Sequence, residues 1–226
     1  LSIQTKSRYA NLLYALNQVT SIDVVKNLGL KEYQNPYEVI KTQKNYDEQV
    51  RSWLEFSINS ISKDKRLRKI IHLKDYFETF KKTWITVMNE LNIDFDVIGF
   101  SDEMQIKAFV IDLDTIFNNL ISNSIYAIKA KKSTVDRIIH IEGKIEDEYL
   151  AIVVSDSGKG LDKQYQNNPS IIFNAFESSK CNKKGDKIGT GLGLYIVKAT
   201  INEYKGSSVK VMYQPVGFAI KIMFKI

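Results

Sequence analysis

The spacing of apolar residues divides the chain into two regions. Up to about residue 68, apolar positions recur at helical intervals, first over residues 4–28 and then at three- and four-residue steps over residues 46–61. A turn-like stretch with glycine and proline, residues 29–36, separates the two series. The pattern predicts a helical hairpin over residues 1–68, whose apolar stripe needs a partner, either the neighbouring domain or a second copy of the chain.

From residue 69 onward, helical and strand-like patterns alternate. Helices are predicted over residues 75–91, 113–131 and 192–204, and strands over residues 68–73, 93–98, 105–111, 137–145, 149–156, 208–214 and 217–226. A long loop-rich stretch runs to residue 188. Strands interleaved with helices predict an α/β fold over residues 69–226: a two-layer sandwich with one mixed sheet and helices on one face.

Composition narrows the classes of protein that fit this pattern. The 226 residues are 44% hydrophobic and 11% aromatic, which excludes wholesale disorder. The net charge of +6 comes from scattered lysines and does not by itself indicate nucleic-acid binding. The single cysteine, Cys181, cannot form an internal disulfide. No apolar run approaches the ~20 residues of a membrane span, so we expect a cytoplasmic protein, and the start at Leu1 suggests a piece of a longer one.

A glycine-rich stretch, Gly189, Gly191 and Gly193, directly precedes a helix-like run. Leu194 stands where a dinucleotide-binding fingerprint needs its third glycine, and no P-loop sequence occurs in the chain. Backbone N–H groups at the start of a helix can still bind an anion. Taken alone, the same glycines are better explained by an ordinary tight turn.

Two further segments carry polar groups at informative spacings. Asn119 and Asn123 lie four residues apart on one helix face, and amide oxygens suit a hydrated Mg²⁺ that is shared with phosphates. Downstream, Asp156, Gly158 and Gly160 end an apolar strand, where a carboxylate could accept a hydrogen bond from an amine such as that of adenine. Solvent-facing asparagines and a strand-ending turn are the alternative interpretations.

Together these segments resemble a known family. The asparagine pair, DSGKG, IFNAFESSK and GTGLGL, in this order, resemble the ATP-binding domain of sensor histidine kinases, a member of the GHKL class shared with gyrase, MutL and the heat-shock chaperone ATPases. The resemblance covers about residues 69–226 and implies a Bergerat-type α/β sandwich that binds ATP and Mg²⁺.

The resemblance implies roles for residues at both ends of the nucleotide. Asn123 would coordinate Mg²⁺ with Asn119 assisting, and Asp156 would bind the adenine amino group. The remaining nucleotide-binding positions would be glycines that shape the base pocket, phenylalanines that hinge and pack a lid over residues 161–188, a lysine that contacts phosphate, and the phosphate-binding turn: Gly158, Gly160, Phe173, Phe176, Lys180, Gly189, Thr190, Gly191, Leu192 and Gly193.

The chain departs from the family pattern at three points. His72 and His140 both lie in predicted strands without an acidic neighbour, so neither is a recognisable phosphoacceptor. Asn119 stands where the chaperone branch carries a glutamate that activates water, and an amide cannot take a proton. Tyr126 stands where kinases often carry a basic residue.

We therefore expect the catalytic domain of a histidine kinase-like protein, which transfers or hydrolyses the γ-phosphate of ATP, with Asn119 and Lys180 as its catalytic residues. The alternative is a nucleotide-gated dimerisation module in which ATP binding is the switch. The hairpin stands where kinases keep their dimerisation helices, which predicts a homodimer. Because no phosphoacceptor is recognisable, three alternatives stay open: a partner protein supplies one, a missing segment supplies one, or there is none.

Overall fold

The structure is a computed structural model that describes residues 68–131, 136–180 and 189–226. The hairpin predicted for residues 1–68 lies outside this range except for its last residue, Arg68. The described elements are β1 (Lys69–His72), α1 (Leu73–Glu90), β2 (Asp94–Ile98), β3 (Gln105–Ala108), α2 (Val110–Ala130), β4 (Ile138–Glu146), β5 (Tyr149–Asp156), α3 (Lys163–Gln166), a 3₁₀ helix (Pro169–Phe173), α4 (Gly193–Asn202), β6 (Ser208–Met212) and β7 (Phe218–Lys225).

Five strands form the predicted mixed sheet, in the order β2-β4-β5-β7-β6. The β2–β4 pair is parallel and the other pairs are antiparallel. The expectation of one sheet is wrong for β1 and β3, which pair in a separate antiparallel ribbon. Strand β1 continues into α1 without a connecting residue, and only Phe109 separates β3 from α2. These short connections keep the ribbon beside the starts of the two helices.

The core lies between the sheet and the helices. Alternate residues of β5 point inward, as the period of a strand requires, and lie beside the inward residues of the paired strand β7 on the same face of the sheet. Helix α2 adds residues at three- and four-residue spacing, so the predicted arrangement of helices over one sheet face is confirmed. Buried members of this core include Leu150, Ile152, Val154, Ile220, Ile222, Phe224, Leu113, Ile116 and Leu120.

Element boundaries differ from the prediction mainly at helix α2. It begins at Val110, three residues before the expected Leu113, because Phe109 is the extended cap residue and its carbonyl accepts from the N–H of Asp112 at 3.1 Å. The β-branched Val110 and Ile111 made the sequence resemble a longer strand. None of the described helices is long and apolar enough to cross a membrane.

A polar cluster joins the start of α2 to the end of α4. The hydroxyl of Tyr204 donates to Asp112 Oδ2 at 2.6 Å and accepts from the N–H of Phe109 at 3.3 Å. Burial, with the Asp112 carboxylate second, raises the pKa of Tyr204. The guanidinium of Arg68 lies 4.6 Å from the centre of the Tyr204 ring. These contacts hold together the two helices that carry the candidate site.

Candidate functional site

Helix α2 and the start of α4 meet at the predicted asparagine pair. Asn119 and Asn123 are both half-buried, and Asn119 Nδ2 donates to the carbonyl oxygen of Thr115 at 2.8 Å. A Cβ added to Gly193 would lie 2.8 Å from Asn119 Oδ1 and 3.8 Å from Asn123 Nδ2. A side chain at position 193 would therefore crowd Asn119, and the glycine lets two motifs that are distant in sequence come together.

Lys180 contacts the second asparagine. Its Nζ donates to Asn123 Oδ1 at 2.6 Å and lies 5.0 Å from the centre of the Tyr126 ring. Burial lowers the pKa of Lys180. Tyr126 stands where histidine kinases often carry a basic residue, and Lys180 brings a positive charge to that place from another segment. The aromatic face attracts the ammonium.

Asp156 ends strand β5 as a buried carboxylate that is 5% exposed. Oδ1 accepts from the N–H of Gly158 at 2.8 Å, and Oδ2 accepts from the hydroxyl of Ser124 at 3.0 Å. Burial raises the pKa of Asp156 to about 6, although both hydrogen bonds lower it. Ser124 was missed by sequence reasoning; its signal was a hydroxyl within the apolar stripe of α2, directly after Asn123.

The two glycines after Asp156 allow close backbone contacts. A Cβ on Gly158 would lie 2.6 Å from the Cβ of Ala127 in α2, and Gly160 has a φ of +76° beside the carbonyl oxygen of Gly217. Gln214, a second residue that sequence reasoning missed, donates from Nε2 to the Asp156 carbonyl oxygen at 2.9 Å. These contacts fix the backbone around the carboxylate.

The two phenylalanines of the predicted lid hinge lie in different environments. Phe173 is 3% exposed and packs in the core. Phe176 is 64% exposed, so the expectation that it packs is wrong. Its φ is +66°, and a Cβ on Gly191 would lie 2.3 Å from its carbonyl carbon. The backbone of Phe176, rather than its ring, packs against the glycine-rich turn.

The rest of this turn is held by short contacts. A Cβ on Gly189 would lie 2.3 Å from Ser178 Oγ and 3.1 Å from the Cβ of Lys180. Thr190 Oγ1 accepts from the N–H of Leu192 at 3.3 Å. The Leu192 side chain is 1% exposed and packs in the protein interior, so only its backbone is suited to bind a ligand.

Part of the predicted lid lies outside the described residues. Residues 181–188 belong to it and include Cys181 and the lysines Lys183, Lys184 and Lys187. Within the described portion, Tyr165 is buried and its hydroxyl donates to Glu177 Oε2 at 3.1 Å. The lid over residues 161–188 therefore stays a prediction.

The side-chain oxygen of Asn123 is a suitable ligand for a Mg²⁺ ion that also binds a phosphate chain. In residues 68–131, 136–180 and 189–226, no group of three or more histidine, cysteine, aspartate or glutamate side chains could hold a metal ion. Asn123 instead offers one neutral oxygen, which already attracts the ammonium of Lys180. A hydrated Mg²⁺ takes few protein ligands when phosphates complete its coordination.

The two histidines of the chain both lie in strands, as the sequence pattern predicted. His72 is the exposed last residue of β1, and His140 is a half-buried residue of β4 that pairs with Ser155 of β5. A phosphoacceptor histidine on a helix is therefore not provided by either residue.

Comparison with known proteins identifies the family. Residues 110–225 match the family described as histidine kinase-, DNA gyrase B-, and HSP90-like ATPase. The match covers just over half of the chain and includes both asparagines, Asp156 and the glycine-rich turn. The chain belongs to this family, and the part of the chain that matches is the histidine kinase-type ATPase domain.

Curated relatives are larger proteins. The chain is 32% identical over 132 residues to the sensor histidine kinase FlgS of Helicobacter pylori, which is 58% of this chain and 31% of FlgS. It is 29% identical over 167 residues to the sensor histidine kinase YvrG of Bacillus subtilis, which is 72% of this chain and 26% of YvrG. The chain spans less than a third of either relative.

Solved structures share the fold. The nucleotide-free catalytic domain of histidine kinase ThkA matches with a TM-score of 0.57 at 19% identity, covering 71% of this chain and 96% of that domain. Full-length ShkA in complex with AMPPNP matches with a TM-score of 0.59 at 19% identity, covering 97% of this chain and 44% of ShkA. At this identity the likeness shows the fold alone.

Proposed function

We propose that residues 69–226 bind ATP with Mg²⁺ as the catalytic domain of a histidine kinase-like protein, which transfers or hydrolyses the γ-phosphate. The observation that carries the proposal is the meeting of three sequence-distant motifs at α2. Asn123 contacts Lys180, Gly193 approaches Asn119, and Ser124, the residue after Asn123, holds Asp156. The family match and the relatives named sensor histidine kinase support it.

The candidate site has groups that suit the adenine end of a nucleotide and other groups that suit its phosphate end. The Asp156 carboxylate accepts hydrogen bonds and would orient the adenine amino group. The backbone from Gly189 to Gly193 leads into helix α4, whose first N–H groups and dipole favour the phosphates. Asn123, with Asn119 assisting, would hold Mg²⁺, which supplies charge neutralisation of the phosphates. Lys180 would orient and neutralise the terminal phosphate.

The site has no described general base for hydrolysis at the asparagine pair. Asn119 is an amide, and its Nδ2 donates back to its own helix. This favours transfer to an acceptor or slow hydrolysis over fast ATP hydrolysis. Since neither His72 nor His140 lies on a helix, we propose that the acceptor belongs to another protein or segment. Homodimerisation through the N-terminal residues is a further proposal.

Calorimetric titration of a non-hydrolysable ATP analogue, with and without Mg²⁺, tests binding directly. Asn123→Ala should remove the Mg²⁺-dependent part of the affinity, because the amide oxygen ligand is lost. Asn118→Ala is the matched control, since Asn118 is exposed on the same helix and its Oδ1 accepts from Trp84 Nε1 instead. Unchanged Mg²⁺ dependence in Asn123→Ala would show that the metal site is assigned wrongly.

Single-turnover reactions with γ-labelled ATP then separate the possible activities. Label that stays on protein supports a kinase, and free phosphate supports an ATPase. Tight binding with neither product would favour the nucleotide-gated dimerisation module, which light scattering would reveal as a nucleotide-dependent doubling of mass.

A further inference from the structure

We propose that Lys180 is a resident cation that competes with Mg²⁺ for Asn123 and moves to the phosphates when the metal binds. The inference rests on the proposed function, because it takes Asn123 as the metal ligand. It adds a regulatory role to Lys180: the contact with Asn123 would set how strongly nucleotide binding depends on Mg²⁺.

The position of Lys180 is defined by several contacts. Its Nζ lies 2.6 Å from Asn123 Oδ1 and 5.0 Å from the centre of the Tyr126 ring. Its backbone N–H donates to Ser178 Oγ at 3.2 Å. A Cβ on Gly189 would lie 3.1 Å from the Cβ of Lys180 and 3.2 Å from its Cδ, so the aliphatic stem runs along the glycine-rich turn.

The charge of Lys180 has neutral neighbours in these contacts. An amide oxygen and an aromatic ring receive the ammonium, and none of the ion pairs found among the described residues includes Lys180. A half-buried ammonium with neutral neighbours is stabilised when an anion approaches. The phosphates of a nucleotide would supply that anion.

Mg²⁺ and the ammonium cannot both keep the same place on Asn123. Magnesium binds oxygen ligands at about 2.1 Å, and a second positive charge 2.6 Å from the same oxygen would lie close to the dication. Like charges at such a distance repel strongly. Mg²⁺ would therefore displace Lys180, whose flexible stem lets it turn toward the terminal phosphate.

Without metal, the ammonium can serve Asn123 and the phosphates together. The wild-type chain should then retain measurable affinity for a metal-free nucleotide. Replacing Lys180 should weaken metal-free binding much more than Mg²⁺-bound binding, so the stimulation of affinity by Mg²⁺ should rise. This effect of Lys180 on the stimulation also requires Asn123, because without its side-chain oxygen the ammonium and Mg²⁺ no longer compete for a common ligand.

The test is a thermodynamic cycle on the full chain with AMPPNP as the probe. Calorimetry in excess Mg²⁺ and in chelator gives the stimulation for wild type and for Lys180→Met. We expect a roughly tenfold larger stimulation in Lys180→Met, the worth of a charge-assisted hydrogen bond. Lys198→Met is the matched control, because Lys198 lies on α4 near the Phe173 ring and should leave the ratio unchanged.

A second cycle separates competition from a plain phosphate contact. In the background of Asn123→Ala, Lys180→Met should no longer change the stimulation by Mg²⁺. If it changes the ratio there as much as in wild type, Lys180 acts on the phosphates independently of Asn123, and the inference is overturned.

Nuclear magnetic resonance gives a readout that needs no nucleotide. The Asn123 side-chain amide resonances of the ligand-free chain should shift in Lys180→Met and stay in place in Lys198→Met. Unshifted Asn123 resonances in Lys180→Met, or equal Mg²⁺ stimulation with and without Lys180, would overturn the inference and leave the proposed function intact. Absence of AMPPNP binding to the wild type under both conditions would overturn both.

Discussion

The buried carboxylate of Asp156 should make the stability of the protein depend on pH with an unusual sign. Burial is the largest influence on this group and raises its pKa from 3.8 to about 6, against the hydrogen bonds from Gly158 and Ser124 and the charge of Lys131. The folded chain therefore holds this proton more tightly than the unfolded chain does. Stability should fall, rather than rise, as this group ionises.

The magnitude follows from the shift in pKa. Below about pH 3 the carboxyl is largely protonated in both the folded and the unfolded chain, so it contributes little to the pH dependence. As the pH rises toward 6 the unfolded chain releases its proton first, and the free energy of unfolding decreases. Above pH 6 the loss levels off at about 3 kcal/mol, from a shift of about two units at 1.36 kcal/mol per unit.

Asp156→Asn isolates this contribution. The amide has nearly the same shape and can still interact with Ser124 and Gly158, but it does not titrate. Urea unfolding of both proteins gives the difference in the free energy of unfolding, in which the other titrating groups cancel. From pH 4.5 to pH 8, the variant should gain about 2 kcal/mol relative to wild type. A difference that stays constant across this range would refute a raised pKa for Asp156.

Nucleotide binding should respond in the opposite direction. Only the ionised carboxylate accepts a hydrogen bond at both oxygens, so adenine nucleotide affinity should fall below pH 6, toward about tenfold per pH unit. The phosphates of the nucleotide titrate as well, and Asp156→Asn reports that background. Near pH 7.5 the variant should bind ATP about 10–100-fold more weakly, as expected for a lost charged hydrogen bond, and equal losses for ATP and GTP would contradict an adenine contact.

Two further substitutions test contacts outside the site. Gly143→Ala should lower the free energy of unfolding by about 1–3 kcal/mol through overpacking, since a Cβ there would lie 2.4 Å from the Phe100 ring; a change below ~0.5 kcal/mol in urea unfolding would show that the ring moves freely. Tyr204→Phe removes the hydroxyl that donates to Asp112 and should cost about 1.5–3 kcal/mol, measured in the same way, whereas wild-type stability would mean that the other interactions of Asp112 suffice.

The sequence allowed prediction of the elements with regular periodicity. The apolar alternation of β5 and β7 and the helical stripe of α2 indicated their structure correctly, because one face of each is buried. The separation of β1 and β3 from the main sheet was not predicted. Both strands are four residues long, and strand patterns of this length carry no information about the partner strand.

The site was predicted as a set of motifs rather than as a network. The spacing and order of motifs indicated Asn119, Asn123 and Asp156, because the family pattern consists of particular residue types at particular spacings. The contacts of Ser124 with Asp156 and of Gln214 with its carbonyl depend on how β5, α2 and the β6–β7 connection meet in space. The spacing and order of motifs along the chain do not reveal such contacts.

Helix α2 lies between the two ends of the candidate site, so adjacent residues of this helix contact different groups. Asn123 contacts Lys180, and the next residue, Ser124, contacts Asp156. Successive side chains on a helix project about 100° apart. One turn of α2 therefore contacts the Lys180 ammonium on one side and the Asp156 carboxylate on the other. Burial disfavours the charged form of both groups, since it lowers the pKa of Lys180 and raises that of Asp156. One molecule with an amine at one end and phosphates at the other would relieve both costs, and binding it should therefore raise the stability of the domain more than either end alone.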